Sequence, residues 1–299
     1  MKYFLRKKRK HDAVDFIIFL FMCMVIVVTL YPFLNVLAKS FNDPIDTVKG
    51  GVHIFPRVFT TENYASLFSN GSNLPSAFRM SILRTLVGTV LGALCCSMFA
   101  FALSRKDFIF RKPFTALLAV TMYVGGGMIP EYILIRNLGL INSFWVYVIP
   151  GLISAFNVIV IRAFIDNIPS SLQESARIDG ANDAVIFFRI ILPLCAPVLA
   201  TVSLFIAVGQ WNSWFDTYLY ARNDRALSTL QYELMKVLDS AQSVNSASAV
   251  YSEGLRSAKR NPEAIKMAIT VIATTPILVV YPFLQKYFVS GITLGAVKG

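Results

Sequence analysis

Apolar residues gather in six long runs, at 14–37, 82–103, 114–134, 144–165, 190–208 and 264–289, separated by polar stretches of unequal length. A helix needs roughly 20 apolar residues to cross a hydrocarbon core about 30 Å thick, and these runs have that length. The pattern predicts an all-α, polytopic membrane protein with six transmembrane helices. It divides the chain into a basic tail at 1–13, a first span at 14–37, a polar segment at 38–81, a core at 82–289 holding five further spans, and a short tail at 290–299.

One polar interval, 170–189 between the fourth and fifth runs, carries a helical pattern of its own. Pro169 ends the preceding span, and Ser171 with Glu174 three residues on has the spacing of a capping box. A short helix is therefore expected to start near Leu172. Leu172 and Ala176 share one face, and Glu174 and Arg177 stand close enough to pair weakly. Gly180 falls where a left-handed residue reverses the chain. Asn182 or Asp183 then caps a second helix that leads through Phe187 and Phe188 into the fifth run. The product is a rigid elbow joined directly to two spans. Its small residues Ala176, Gly180 and Ala181 let another protein surface approach closely.

Composition supports the membrane reading. Of 299 residues 56% are hydrophobic and 15% charged, and the mean hydropathy of +0.60 lies well above the soluble range. Lys2, Arg6, Lys7, Lys8, Arg9 and Lys10 precede the first run, which is too long for a signal peptide and lacks a small-residue cleavage site, so it reads as a retained anchor. Basic residues near span ends mark the cytoplasmic side, which places the N-terminal tail and the loop with Arg105, Lys106, Arg111 and Lys112 inside. Six spans then return the C-terminus to the cytoplasm. Arg222, Arg225, Lys236, Arg256, Lys259 and Arg260 lie in an outer loop against this rule, although long loops translocate with less regard to charge. The net charge of +11 is thus explained by anchoring to the lipid bilayer, without nucleic acid. Cys23, Cys95, Cys96 and Cys195 all sit in apolar runs without ligand spacing and read as small buried hydrophobes. With His11 and His53 the only histidines, no histidine-built metal or catalytic centre is expected, and no cofactor is implied.

Several local features bear on a path through the membrane. Arg79 and Arg84, at the mouth of the second span, are placed to snorkel to the interface. The segment 68–76, with Asn70-Gly71 and Pro75, reads as a turn, and Thr60 or Thr61 as the cap of a helix before it. Gly125-Gly126-Gly127 and Pro130 break the third run. Broken backbone in a membrane is tolerated where protein covers it or where it lines a cavity, so this is either a path surface or a plain helix end. Pro197 should kink the fifth helix unless that helix starts late, and Trp211 and Trp214 suit an interfacial belt. The serine-rich segment around Asn245 (Ser240, Ser243, Ser246, Ser248 and Ser252) reads as a mobile loop or a contact for another protein. Tyr123, Asn157, Gln210, Asn212 and Trp214 are the candidate path-lining residues.

The segment Glu174-Ser175-Ala176-Arg177-Ile178-Asp179-Gly180-Ala181, with nine residues between Gly180 and Ile190-Ile191-Leu192-Pro193, resembles the cytoplasmic EAA signature of permease subunits in ATP-binding-cassette importers. Ser175 replaces the usual alanine, a small-for-small change. Met128-Ile129-Pro130, 138–142, Trp211-Asn212, 281–289 and the tail 295–299 are similar to the carbohydrate-uptake, maltose-permease branch. The resemblance implies that the elbow is a coupling helix seated on a separate ATPase dimer, with Glu174, Ser175, Ala176, Asp179, Gly180 and Ala181 shaping the contact. It implies a second, non-identical permease, an extracytoplasmic solute-binding protein, and a sugar substrate, favouring an oligosaccharide. Consistently, no phosphate-cradling Gly-x-x-x-x-Gly-Lys-Ser/Thr loop is present, so ATP hydrolysis is expected in another chain and the protein itself is not expected to be an enzyme. A gradient-driven carrier is disfavoured by the lack of visible half-repeats and by Asp15 and Arg84 lying near span ends. An intramembrane enzyme is disfavoured by the absence of histidine from every span and of a Gly-x-Ser-x-Gly elbow.

Overall fold

A computed structural model describes residues 13–68, 72–246 and 262–296. The basic tail through Asp12, the Asn70-Gly71 turn, Ser248, Ser252, Arg256, Lys259, Arg260 and the last three residues lie outside the described residues. All regular structure is helical, with no strand among the described residues. The described residues form two compact units, 13–68 with 237–246 and 262–272, and 72–236 with 273–296.

In the first unit, helix α1 (Ala13–Ser40) is apolar along its length, and its large side chains are exposed from Val14 to Phe33, as suits a lipid-facing helix. The polar segment after it is built around Asn42. The Asn42 carboxamide accepts from the Arg57 and Val58 amides and donates to Asp46 and Thr47. Asp43 caps the short helix α2 (Pro44–Val48). Asn63, on α3 (Glu62–Leu67), donates to the Ser40 and Asn42 carbonyls. The Thr60 hydroxyl accepts from the Glu62 amide, so Thr60 rather than Thr61 closes the start of α3. Two buried asparagines thus satisfy backbone groups left over beside the single antiparallel bridge between Asn42 and Phe59.

The second unit is centred on α4 (Leu74–Ser104). Pro75 stands in its first turn, where the missing amide costs nothing, so this helix starts eight residues before the expected span and takes in the last three residues of the 68–76 segment. The third run is divided into α5 (Arg111–Tyr123) and α6 (Met128–Asn137), with the glycine run between them. The fourth is divided into a single 3₁₀ turn (Phe144–Tyr147) and α7 (Ala155–Ile165). After α8 (Ser170–Ile178) and α9 (Asp183–Ile186), a π-turn (Phe187–Ile191) leads into α10 (Leu192–Leu194) and α11 (Ala196–Asn212). Pro193 cannot bond the Arg189 carbonyl, nor Pro197 the Pro193 carbonyl. The chain accordingly bends by 82° between Leu194 and Ala196, and Pro197 sits in the first turn of a helix that starts late.

The remaining helices are α12 (Phe215–Tyr220), α13 (Leu230–Ser246) and α14 (Pro262–Ala296). α13 corrects the loop alternative of that expectation as far as Ser246: Leu230, Leu234, Val237 and Leu238 recur at helical spacing, a period masked by the serines that follow. Three described helices, Val14–Ser40, Leu74–Ser104 and Glu263–Pro282, are each long and apolar enough to cross a bilayer, and the bent pair 183–212 makes a fourth. The third and fourth runs are assembled from shorter pieces because glycines and loop residues interrupt them.

Helices α4, α7 and α11 share a core of Cys96, Ala100, Phe101, Leu103, Val158, Ile161, Ile165, Cys195, Val198 and Val202. Cys195 fills it as an apolar group, and the Cys96 thiol donates to the Leu152 carbonyl at 3.4 Å. Close packing of α4 on α11 depends on Gly88, where a Cβ would lie 2.9 Å from the Gln210 side chain.

Candidate functional site

The elbow begins at Ser170, with Pro169 as its capping residue and no side-chain cap. The Ser171–Glu174 box therefore does not form, because Ser171 already lies inside the helix. The other end follows expectation. Gly180 has φ +84°, the Gly180 amide donates to the Arg177 carbonyl at 3.0 Å and the Ala181 amide to the Ala176 carbonyl at 2.9 Å. This paired arrangement is a Schellman turn, which satisfies the last carbonyls and favours glycine at the left-handed position. The Asn182 side chain then accepts from the Val185 amide at 2.9 Å and starts α9.

Arg177 does not pair with Glu174. Its Nη2 lies 3.0 Å from Asp107 and 3.3 Å from Asp183. Arg105 reaches the same two carboxylates, at 3.3 and 3.5 Å, and donates to Gln173 at 2.7 Å. Two cations and two anions thus bind α8 and α9 to the end of α4. Arg105, Asp107 and Arg177 themselves line a polar cleft of about 440 Å³, together with Asp166, Gln173 and Glu174. Ala176 and Ala181 are partly buried and pack against the core shared by α4, α7 and α11. Leu172, Glu174, Ser175, Ile178, Asp179 and Gly180 form the exposed side. Ile178 is 88% exposed, an apolar side chain at the tip of a polar element.

Toward the other end of α4 lies a buried polar centre. Arg84 is 1% exposed. It does not snorkel; its Nε and Nη2 donate to the Gln210 carbonyl oxygen at 3.1 and 3.0 Å, and its Nη1 to Asp216 at 3.1 Å and the Ser213 carbonyl at 3.3 Å. Nη2 also meets the second Asp216 oxygen. The guanidinium lies 4.3 Å over the Tyr147 ring, and the Gln210 amide donates to the Tyr147 carbonyl at 2.9 Å. Burying a guanidinium is costly unless it is paired and hydrogen-bonded; here it is both. Trp211 is buried beside this centre and its indole N–H donates to the Ala273 carbonyl at 2.9 Å, so it is not an interfacial residue.

No protein-family model matches the chain. Its relatives are informative. It is 40% identical over 97% of its length to the whole of the polygalacturonan/rhamnogalacturonan transport system permease YtcP of Bacillus subtilis. It is 38% identical to protein LplC of the same organism, covering 94% of this chain and 93% of that one. The crystal structure of a bacterial ABC transporter involved in the import of the acidic polysaccharide alginate contains a chain that superposes with a TM-score of 0.83 at 26% identity, over 96% of this chain and all of that one.

The chain belongs to the carbohydrate-uptake permeases of ATP-binding-cassette importers.

As such it is a membrane component of a binding-protein-dependent transporter and not an enzyme. The five candidate path residues occupy different settings in this permease. Tyr123, at the end of α5, is 88% exposed, and Asn212 is exposed, accepting from Gln231 at 3.3 Å. Trp214 is half-buried against Phe215 and Tyr218. Asn157 is 6% exposed in the first turn of α7, where Ser154 caps the helix. Both ends of the Gln210 amide are committed to Arg84 and Tyr147. Sequence reasoning missed the Arg105–Asp107–Arg177–Asp183 cluster, Ile178 and Asp216. Asp216 leaves a signal, being the one carboxylate between Asp183 and Asp224.

Proposed function

We propose that the permease forms half of the translocation path for an acidic oligosaccharide and receives the ATPase stroke through the elbow 170–189. In this reading the chain crosses the membrane six times with both termini cytoplasmic, the third, fourth and fifth crossings being built from broken helices. A second, non-identical permease supplies the facing half, an ATPase dimer binds the elbow, and a solute-loaded extracytoplasmic binding protein docks on the opposite side. Tyr123, Asn157, Gln210, Asn212 and Trp214 stand on or near the path.

The observation that carries the coupling role is the capped elbow, locked to α4 by Arg105 and Arg177 and rigid at both turns. Such an element moves as a body and transmits displacement into the helices it is fixed to. Glu174, Ser175, Ile178, Asp179 and Gly180 form its outward surface, while Ala176 and Ala181 seat it on the core. For the substrate, the support is that the 40% identical relative is named for polygalacturonan and rhamnogalacturonan and the superposable chain for alginate, all of them polymers that contain uronic acids.

The test is affinity purification of the tagged permease from detergent-solubilised membranes, with mass spectrometry of what accompanies it. Recovery of an ATPase and a second permease, with the ATPase lost from the Glu174→Ala and Gly180→Val variants, is the expected result. An ATPase that stays bound in both variants removes the elbow from the contact.

A further inference from the structure

We propose that a cleft lined by Tyr132, Asn142, Tyr218, Tyr220, Arg222 and Asn223 holds a uronate residue of the incoming saccharide before it enters the path. The proposal rests on the acidic-oligosaccharide reading above and adds to it a specific site on this chain.

The cleft lies at the end of the second unit remote from the elbow. Asn73, which precedes α4, donates to the Arg225 carbonyl at 3.0 Å, whereas Arg105, just past the other end of α4, holds the elbow. The 31 residues of α4 separate these two places by about 46 Å at ~1.5 Å per residue. A saccharide delivered from the side opposite the ATPase meets this end first.

Its volume of about 460 Å³ falls within the roughly 300–1,000 Å³ of small-molecule sites. The wall is aromatic and fixed. Tyr132 and Tyr220 stack with centroids 6.0 Å apart and planes 12° from parallel, and Tyr218 is braced by Trp214, Phe215 and Tyr232. The Asn142 amide donates to the Tyr220 carbonyl at 2.9 Å. Asn142 itself holds φ 54°, a left-handed conformation that asparagine adopts more readily than other non-glycine residues.

The Tyr220 hydroxyl is engaged by the Glu131 side chain, whereas three other polar groups of the cleft, those of Arg222, Asn142 and Asn223, are not. Arg222 lies 5.6 Å over the Tyr218 ring and, among the described residues, makes no ion pair or hydrogen bond. The side chains of Asn142 and Asn223 likewise have no hydrogen-bond partner among the described residues. The contrast with Arg84 is instructive: Arg84 has the same chemistry, but its donors are directed at Gln210, Ser213 and Asp216, so it cannot take a ligand. Arg222 presents a planar fork of donors that matches a carboxylate. Tyr218, 43% exposed, offers ring surface to the C–H face of a pyranose ring, with Tyr132 and the buried Tyr220 backing the cleft, and two carboxamides serve the sugar hydroxyls as donor or acceptor. A free guanidinium beside aromatic faces and amides selects a sugar acid over a neutral sugar.

The experiment uses the permease co-purified with its partner subunits in lipid nanodiscs, and measures equilibrium binding and uptake of trigalacturonate and of neutral galactotriose. Arg222→Gln should weaken trigalacturonate binding by about tenfold or more, the loss of one charge-assisted contact, and leave galactotriose unchanged. Arg222→Lys should recover part of the affinity. Asn223→Ala, an exposed change that leaves the aromatic wall intact, should weaken both sugars by a few-fold. Unchanged trigalacturonate affinity in Arg222→Gln overturns the site; if the wild-type assembly still imports trigalacturonate, the acidic-substrate reading survives that failure. Import of galactotriose but not trigalacturonate by the wild type overturns both. Loss of binding-protein affinity with intact saccharide binding makes the cleft a protein-docking surface and also overturns the proposal.

Discussion

The guanidinium of Arg84 on α4 and the carboxylate of Asp216 on α12 meet face to face, both nitrogens of the fork on both oxygens, in a position where Arg84 is almost wholly withdrawn from its surroundings. The pair ties the start of the central helix to the segment that follows α11. Gln210 and Tyr147 complete the shell. Removing one member of a buried pair strands the other charge, which costs about 3–5 kcal/mol, whereas replacing both with apolar groups of similar size is often neutral. Arg84→Met or Asp216→Leu alone should therefore lower the thermal stability of the purified permease severely, and the double variant should recover most of it. Single variants that melt like the wild type would show that water reaches the pair.

Gly180 is constrained by backbone conformation and not by space: no atom lies within 4 Å of where its Cβ would be, yet its φ is +84°. A left-handed residue other than glycine costs roughly 1–2 kcal/mol, with asparagine among the least penalised. Gly180→Asn should retain uptake, and Gly180→Val should abolish it while leaving membrane insertion and yield unchanged. Equal uptake by the two variants would detach the Schellman turn from coupling.

These two positions show unevenly what a sequence discloses. Gly180 and Asn182 are legible because a helix end is a local problem, solved by residues within one turn of it. Four of the six apolar runs, the first, second, fifth and sixth, are legible for a similar reason, since crossing length depends on composition alone. Arg84 is not: seen along the chain it stands near a span end, and only packing brings Asp216, 132 residues later, against it. The helix α13 was obscured by its serines, and the capping box at Ser171 failed because Pro169 begins the helix earlier. Arg105 reads as a topology charge until Gln173 and Asp183 fold onto it.

The cluster at the foot of the elbow invites a separation of stability from coupling. Asp107 and Asp183 are well exposed and Arg177 partly so, and exposed ion pairs contribute about 0–1 kcal/mol each. Asp107→Asn should leave the melting temperature nearly unchanged. If the cluster makes the elbow and α4 move as one body, the same variant should transport less sugar per ATP hydrolysed, with ATPase activity retained. An unaltered transport-to-hydrolysis ratio would reduce the cluster to surface decoration.

Glu233 gives the permease a defined acid limit. Burial alone would raise its pKa, but hydrogen bonds from Lys236, Ser228 and Asn73 outweigh that and hold the carboxyl below its ordinary value of 4.5. The contacts are short, 2.6 Å from Lys236, 2.6 Å from Ser228 and 3.0 Å from Asn73. Because the folded carboxyl is the stronger acid, the folded state binds fewer protons than the unfolded chain, and its stabilising contribution is fully present above 4.5. It is lost as pH falls from there through the lower folded value. Glu233→Gln should cost about 1 kcal/mol at pH 7, after allowance for partial exposure, and that deficit should stay constant down to about pH 5 and shrink below it. Thermal unfolding of both proteins across pH 7 to 3.5 measures this directly. A gap that closes between pH 7 and 6 instead would assign the effect to a different group and leave Glu233 without an electrostatic role in joining α13 to the start of α4.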